Sequence, residues 1–182
     1  FNRLTGAGVL SKDMLFATLD PTMRAITLPS GRQIVLADTV GFISQLPTEL
    51  VEAFKSTLEE VVQADLLLHV HDSASPLVAE EAGDVRDVLA DLGIDDEAQA
   101  ERILPVMNKA DLLEADGVRA EMLGNMFVDG CFTSALKDTG INVLLQAIDD
   151  RLGAGRRLSS VTIGPADGAA RAWLFNRGDV RL

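Results

Sequence analysis

The sequence predicts an α/β fold built on a mostly parallel sheet. Apolar runs of four or five residues alternate with amphipathic stretches through the first 150 positions, the pattern of strands joined by crossover helices. Two of those runs lead directly into short polar motifs: Ile34-Val35-Leu36-Ala37 into Asp38-Thr39-Val40-Gly41, and Ile103-Leu104-Pro105-Val106-Met107 into Asn108-Lys109-Ala110-Asp111. Open parallel sheets bind ligands beyond the carboxyl ends of their strands, which is where both motifs fall.

At 182 residues the chain suffices for one full-sized core. With 47% hydrophobic and only 4% aromatic residues, that core is aliphatic. No apolar run approaches the roughly 18 residues of a membrane span, so none is expected. The single Cys131 excludes an internal disulfide framework and fits a reducing, cytoplasmic location. Net charge is −12, yet residues 151–182 carry six Arg against two Asp, so the acidic excess lies entirely in the first 150. An acidic body offers no phosphate-neutralising surface, and no DNA partner is expected. The basic tail reads as a solvated linker, with RNA contact as the alternative.

Each element follows from local pattern. Phe1 to Gly6 resembles the last turns of a helix stopped by glycine, which implies chain upstream of Phe1. Leu15 to Thr22 is a polar-interrupted loop. Ala25 to Leu28 and Gln33 to Ala37 flank Pro29-Ser30-Gly31-Arg32 as a hairpin. Pro47 to Ala64 places Leu50, Phe54, Leu58 and Val61 on one helical face, with Glu49, Glu52, Glu59 and Glu60 on its polar surface. Leu66 to Val70 reads as a buried strand. Val78, Ala82, Val85, Leu89 and Leu92 mark a helix closed by Gly93. After the Ile103–Met107 strand come a helix through Val118 to Met126, a strand ending near Thr133, and a helix from Ile141 to Leu152. Residues 1–152 thus form one domain, 153–157 a linker, and 158–182 a short β-rich extension.

The chemistry follows from residue type. Asp38, at a strand tip, suits the water shell of a Mg²⁺ ion on nucleotide phosphates. Gly41 lets its backbone N–H approach a phosphate closely. Upstream, Thr18 is the natural candidate for a hydroxyl on the same Mg²⁺, with Thr22 its competitor. The Asp111 carboxylate accepts from the N1–H and N2–H₂ edge of guanine, a donor pair that adenine lacks. The Lys109 stem can lie along the base plane, and the Asn108 amide can tie loops together. Ser134-Ala135-Leu136 follows the next strand, where a backbone N–H can meet guanine O6. His69, His71 and Asp72 superficially suggest a metal site, but further ligands at suitable spacing are lacking, so a structural role is expected. Cys131 reads as packing. The 182 residues contain no Gly-x-x-x-x-Gly-Lys-Ser/Thr phosphate loop.

The ordered set Phe16-Ala17-Thr18-Leu19-Asp20-Pro21-Thr22, Asp38-Thr39-Val40-Gly41-Phe42, Asn108-Lys109-Ala110-Asp111 and Ser134-Ala135 resembles the translation-factor-like P-loop GTPases. Asp13 to Thr22, Ala37 to Ile43, and Leu46-Pro47 leading into Ala53 to Glu59 narrow that resemblance to the HflX family, over nearly all of residues 1–152. It implies a three-layer G domain with a mostly parallel sheet and one antiparallel strand, the first strand and phosphate loop being absent. It further implies a GTP-hydrolysing switch, dependent on Mg²⁺ and on GTP or GDP as ligand, in the bacterial cytoplasm and on the large ribosomal subunit. By resemblance, Phe16, Ala17, Thr18, Leu19 and Asp20 form switch I, and Asp38, Thr39, Val40 and Gly41 sense the γ-phosphate and Mg²⁺. Asn108, Lys109, Ala110 and Asp111 read guanine with Ser134, Ala135 and Leu136. Phe42 stands where a water-orienting Gln is usual in Ras-like relatives, which implies slow intrinsic turnover. The 182 residues alone are expected to be inactive. The alternative is a nucleotide-independent protein- or RNA-binding module on a GTPase fold.

Overall fold

The computed structural model describes residues 1–6, 22–39, 60–113, 117–154, 160–164, 167–177 and 180. The helix expected over Pro47 to Ala64 is seen as helix at residues 60–63, and the rest of it lies outside the described residues.

Strands β1 (Thr22–Thr27) and β2 (Gln33–Asp38) pair antiparallel, from Thr22 opposite Asp38 to Thr27 opposite Gln33. Their turn follows from Pro29-Ser30-Gly31. Proline presets the first turn torsion, and Gly31 takes a φ of 87° that a side chain would resist. The Gly31 N–H then donates to the Leu28 carbonyl at 2.8 Å, and the Leu28 N–H to the Arg32 carbonyl at 2.8 Å.

Strands β3 (Leu67–Asp72), β4 (Ile103–Asn108) and β5 (Cys131–Phe132) form a parallel sheet in that order. β3 runs two residues beyond the expected Val70, so its register pairs Asp72 with Asn108 at the carboxyl edge. No ladder joins the hairpin to this sheet among the described residues. Leu28 of the turn shares one core with Leu104, Val106, Cys131, Leu144 and Ile148, and Ile26 and Ile34 pack against it. Among the described residues, side-chain burial joins the two sheets.

Helix α1 (Asn2–Thr5) ends at Gly6, whose φ of 65° fits a glycine stop. Helix α2 (Val78–Asp91) and helix α4 (Gly117–Met126) pack on one face of β4, where Val78, Ala82 and Leu123 enclose Met107. Helix α5 (Ile141–Gly153) covers the other, placing Leu144 and Ile148 on Leu104 and Val106. The buried residues of β4 alternate between the two faces, giving three layers.

Two elements depart from the sequence reading. Helix α3 (Asp96–Arg102) occupies a stretch that showed no apolar period. It starts because the Asp95 carboxylate accepts from the Ala98 N–H at 2.9 Å, with Asp96 and Glu97 in its first turn. The extension expected to be β-rich instead contains helix α6 (Gly168–Arg177). There the Asp167 carboxylate accepts from the Ala170 N–H at 3.0 Å, and Ala169, Ala170, Ala172 and Leu174 are strong helix formers. Among the described residues no helix is long and apolar enough to cross a membrane.

Candidate functional site

β4 delivers Asn108 to the carboxyl edge of the sheet. Lys109 then turns the chain with φ 61° and ψ 30°, a left-handed conformation, into a 3₁₀ turn over Ala110–Leu112 that carries Asp111. The loop after β5 meets this turn from the side. The Ala110 N–H donates to the Thr133 carbonyl at 3.0 Å, and the Thr133 N–H donates to the Met107 carbonyl at 2.9 Å.

Side chains complete the junction. The Ser134 hydroxyl, fully buried, donates to Asp111 Oδ1 and fixes the rotation of that carboxylate. Asn108 Oδ1 accepts from the Ala135 N–H at 3.1 Å and from the Thr133 hydroxyl at 3.5 Å. The loop closes where Ser134 and Thr139 exchange backbone hydrogen bonds. Gly140 is required just beyond: at φ 73°, a Cβ there would lie 2.1 Å from the Phe132 carbonyl oxygen. Leu136 is 75% exposed on this loop. From α1, the Arg3 guanidinium donates to the Ala135 carbonyl at 2.7 Å, attaching that helix to the same loop.

The structure therefore brings together Asn108, Lys109, Ala110, Asp111, Ser134 and Ala135, with Leu136 following. Asp38 closes β2 opposite Thr22, and Thr39 follows it. Phe16, Ala17, Thr18, Leu19, Asp20, Val40, Gly41 and Phe42 lie outside the described residues.

Sequence reasoning missed a support beneath the motif. The Lys109 ammonium donates to Asp72 Oδ2 at 2.7 Å, while Asp72 Oδ1 accepts from the Ala74 N–H at 2.9 Å. Partial burial pushes the Asp72 carboxyl up, but the bonds from Lys109 and Ala74 and the charges of Lys109 and Arg119 hold it below its usual value. Ser73, fully buried, donates to the Asn108 carbonyl from its backbone N–H at 3.0 Å and from its hydroxyl at 2.5 Å. The Arg119 guanidinium in turn donates to the Ser73 carbonyl at 2.8 Å and to the Ser75 carbonyl. The parallel register alone put Asp72 beside Asn108, and only that pairing could have revealed it.

His69 and His71 do share a side of β3, with ring centroids 3.9 Å apart, and His71 packs on Phe127 at 4.7 Å. Among the described residues no group of three His, Cys, Asp or Glu is placed to hold a metal. Burial, together with His71 and Arg86, pushes His69 down to about 3, and burial with Arg86 pushes His71 down to about 4. Both rings are held neutral, His71 buried and His69 half-buried. Cys131 is free and buried, and burial raises its thiol despite the opposing pull of Arg151.

A family model described as "50S ribosome-binding GTPase" matches residues 1–109. A GTPase HflX of Magnetococcus marinus is 46% identical over 168 residues, covering 92% of this chain and 38% of its own length. That of Caldanaerobacter subterraneus is 50% identical over 83% of this chain and 33% of its own length. That of Escherichia coli is 42% identical over 96% and 40%. The chain belongs to the HflX GTPase family. It spans between a third and two fifths of the length of these HflX relatives. A solved structure of the cytosolic domain of the T. maritima FeoB iron transporter in a GDP form superposes with a TM-score of 0.56, covering 100% of this chain and 69% of its own. At 20% identity, that likeness to an HflX-family chain shows the G-domain fold alone.

Proposed function

We propose that the protein carrying this chain binds guanine nucleotides through Asn108, Lys109, Asp111, Ser134 and Ala135 and hydrolyses GTP as a switch on the large ribosomal subunit. One observation carries the base-recognition step: the Ser134 hydroxyl holds the Asp111 carboxylate at the carboxyl edge of the sheet. Each carboxylate oxygen has two acceptor sites, so this bond orients Asp111 while leaving capacity for the two donors of a guanine edge. Asn108 supports the same surface by holding the Ala135 N–H segment against the β4 loop.

Asp38 and Thr18, or Thr22 opposite Asp38, are the residues proposed to hold Mg²⁺. Asp38 closes β2 opposite Thr22, and a carboxylate at a strand end fits a hard cation. When bound, Mg²⁺ neutralises charge on the β- and γ-phosphates. Gly41 is proposed as the γ-phosphate sensor. Phe42 has no group to orient a water, so turnover depends on a further contribution, and the ribosome is the proposed source. Support for that partner is the description of the matching family. Residues 1–152 serve as the G domain, 153–157 as the linker and 158–182 as the extension, in a cytoplasmic protein.

The test is equilibrium binding of mant-GDP to the full-length protein and to Asp111→Asn. Two charge-assisted bonds at about 1.5–3 kcal/mol each correspond to roughly 10²–10⁴-fold in affinity. The variant's amide offers a donor where guanine presents an amine, so it should favour a base with a carbonyl at that carbon. An unchanged guanine preference would remove Asp111 from base recognition.

A further inference from the structure

We infer that Asp72 is a positioning residue for guanine-nucleotide binding, holding the Lys109 side chain away from Asp111 and stretched along the base pocket. The inference rests on the guanine site proposed above and adds a residue to it.

The geometry begins with strand register. β3 and β4 end in step, with Asp72 directly beside Asn108. The residue that follows β4 is Lys109, whose left-handed backbone turns the chain away from the sheet edge. Its ammonium reaches back across to Asp72 Oδ2 at 2.7 Å. Asp72 is itself held from the other side, because its Oδ1 accepts the Ala74 N–H at 2.9 Å. A carboxylate fixed by its own turn makes a firmer anchor than a free surface acid. Below this pair, Ser73 binds the Asn108 carbonyl twice, so the anchor and the motif it serves share one rigid base.

Charge explains why an anchor is needed. Lys109 is two residues from Asp111, and a lysine stem is long and flexible. Asp111 is the carboxylate within the 3₁₀ turn, and an ammonium not held by Asp72 can swing toward it. There it competes with the guanine N–H donors for the oxygens that read the base. Asp72 removes that competition by giving Lys109 a separate partner. It also fixes the far end of the stem at the β3 edge, so that its course is set before the base arrives. Preorganisation of this kind acts mainly on dissociation. Arg119, the other cation acting on Asp72, is committed to the Ser73 and Ser75 carbonyls.

The experiment is a double-mutant cycle on the full-length protein, read by mant-GDP affinity and dissociation rate. Asp72→Asn keeps an oxygen for the Ala74 N–H but loses the charge, and Asp72→Ser is a second route with a turn-forming hydroxyl. Each should speed dissociation by about three- to fivefold, as befits a partly exposed pair, and more at low than at high salt, because the ammonium released from Asp72 is attracted to Asp111 through solvent. In a Lys109→Met background, where no ammonium remains to restrain, the same Asp72 changes should alter affinity by less than about twofold. Wild-type-like dissociation of both variants overturns the inference, and so does an equal loss with and without Lys109. Unfolding of both variants also overturns it, since Asp72 is then a folding residue. A wild-type protein that does not bind mant-GDP defeats the guanine-site reading itself, a result distinguishable from all of these.

Discussion

Lys109 and Asp138 are the two non-glycine residues with positive φ among the described residues, and both lie in the loops that build the candidate base pocket. Such backbone costs of order 1–3 kcal/mol per residue and persists where its surroundings hold it. For Lys109 those surroundings are Asp72 and the Thr133 carbonyl beneath Ala110. The same strand that supplies Asp72 supplies a pH-sensitive pair. His69 and His71 are depressed from 6.5 to about 3 and about 4, chiefly by burial. Between pH 6.5 and 5 the unfolded chain takes up protons that the folded chain refuses, so stability falls as pH falls, with a slope approaching two protons. About one pH unit above 6.5 both states leave the rings neutral and the dependence fades. Urea unfolding between pH 5 and 7.5 should show this slope, and a His69→Gln/His71→Gln variant should flatten it. At the residue scale, the grouping of Asn108, Lys109, Asp111 and Ser134 as candidates was legible because it rests on residue type and order. Asp72 was not, because its partner lies 37 positions away and only the register brings them together.

The hairpin and α5 form the element-scale counterpart, at the turn that joins β1 to β2. Asp149 on α5 is 5% exposed and accepts from the Ser30 N–H at 2.6 Å and the Ser30 hydroxyl at 2.7 Å. Arg32, 15% exposed, approaches the same carboxylate at 3.6 Å and donates to the Asp149 carbonyl at 3.4 Å. This clamp secures a hairpin that has no ladder to the parallel sheet among the described residues. Removing one member leaves the other charged and buried, so Asp149→Ala should destabilise the fold by about 3–5 kcal/mol in urea unfolding. Asp149→Asn, which keeps an acceptor for Ser30, should lose less. Arg32→Met/Asp149→Leu should recover much of the loss by removing both charges together. The turn was legible from Pro29-Ser30-Gly31, whereas the clamp joins residues 119 positions apart and left no local trace. Helices α3 and α6 were missed for another reason. Each is short and largely exposed, so no apolar period marks it, and its start depends on a single capping aspartate, Asp95 or Asp167.

At the scale of the whole molecule, burial on both faces of β4 makes the three layers, and the alternation of runs and amphipathic stretches foretold them. The order of motifs along the chain then brings the proposed recognition residues to the carboxyl edge, where β3, β4 and β5 end nearly in step. In the proposed reading, this edge contributes discrimination of a base. Phosphate binding calls for a different construction: successive backbone N–H groups at a helix start and a lysine around the β-phosphate. No Gly-x-x-x-x-Gly-Lys-Ser/Thr occurs in the 182 residues, whose net charge of −12 opposes a polyphosphate. Base contacts without that cradle cannot stabilise charge developing on a transferring phosphoryl group. The 182-residue chain alone is therefore expected to release no phosphate from Mg²⁺–GTP above the buffer rate. It should also bind mant-GDP at least about 10²-fold more weakly than the full-length protein, given the loss of several charge-assisted bonds at about 1.5–3 kcal/mol each. A phosphate-release assay and a mant-GDP titration on both proteins decide this. Magnesium-dependent turnover by the shorter chain would show that its own residues hold the phosphates, and the division between base recognition and phosphate binding would have to be redrawn around Asp38.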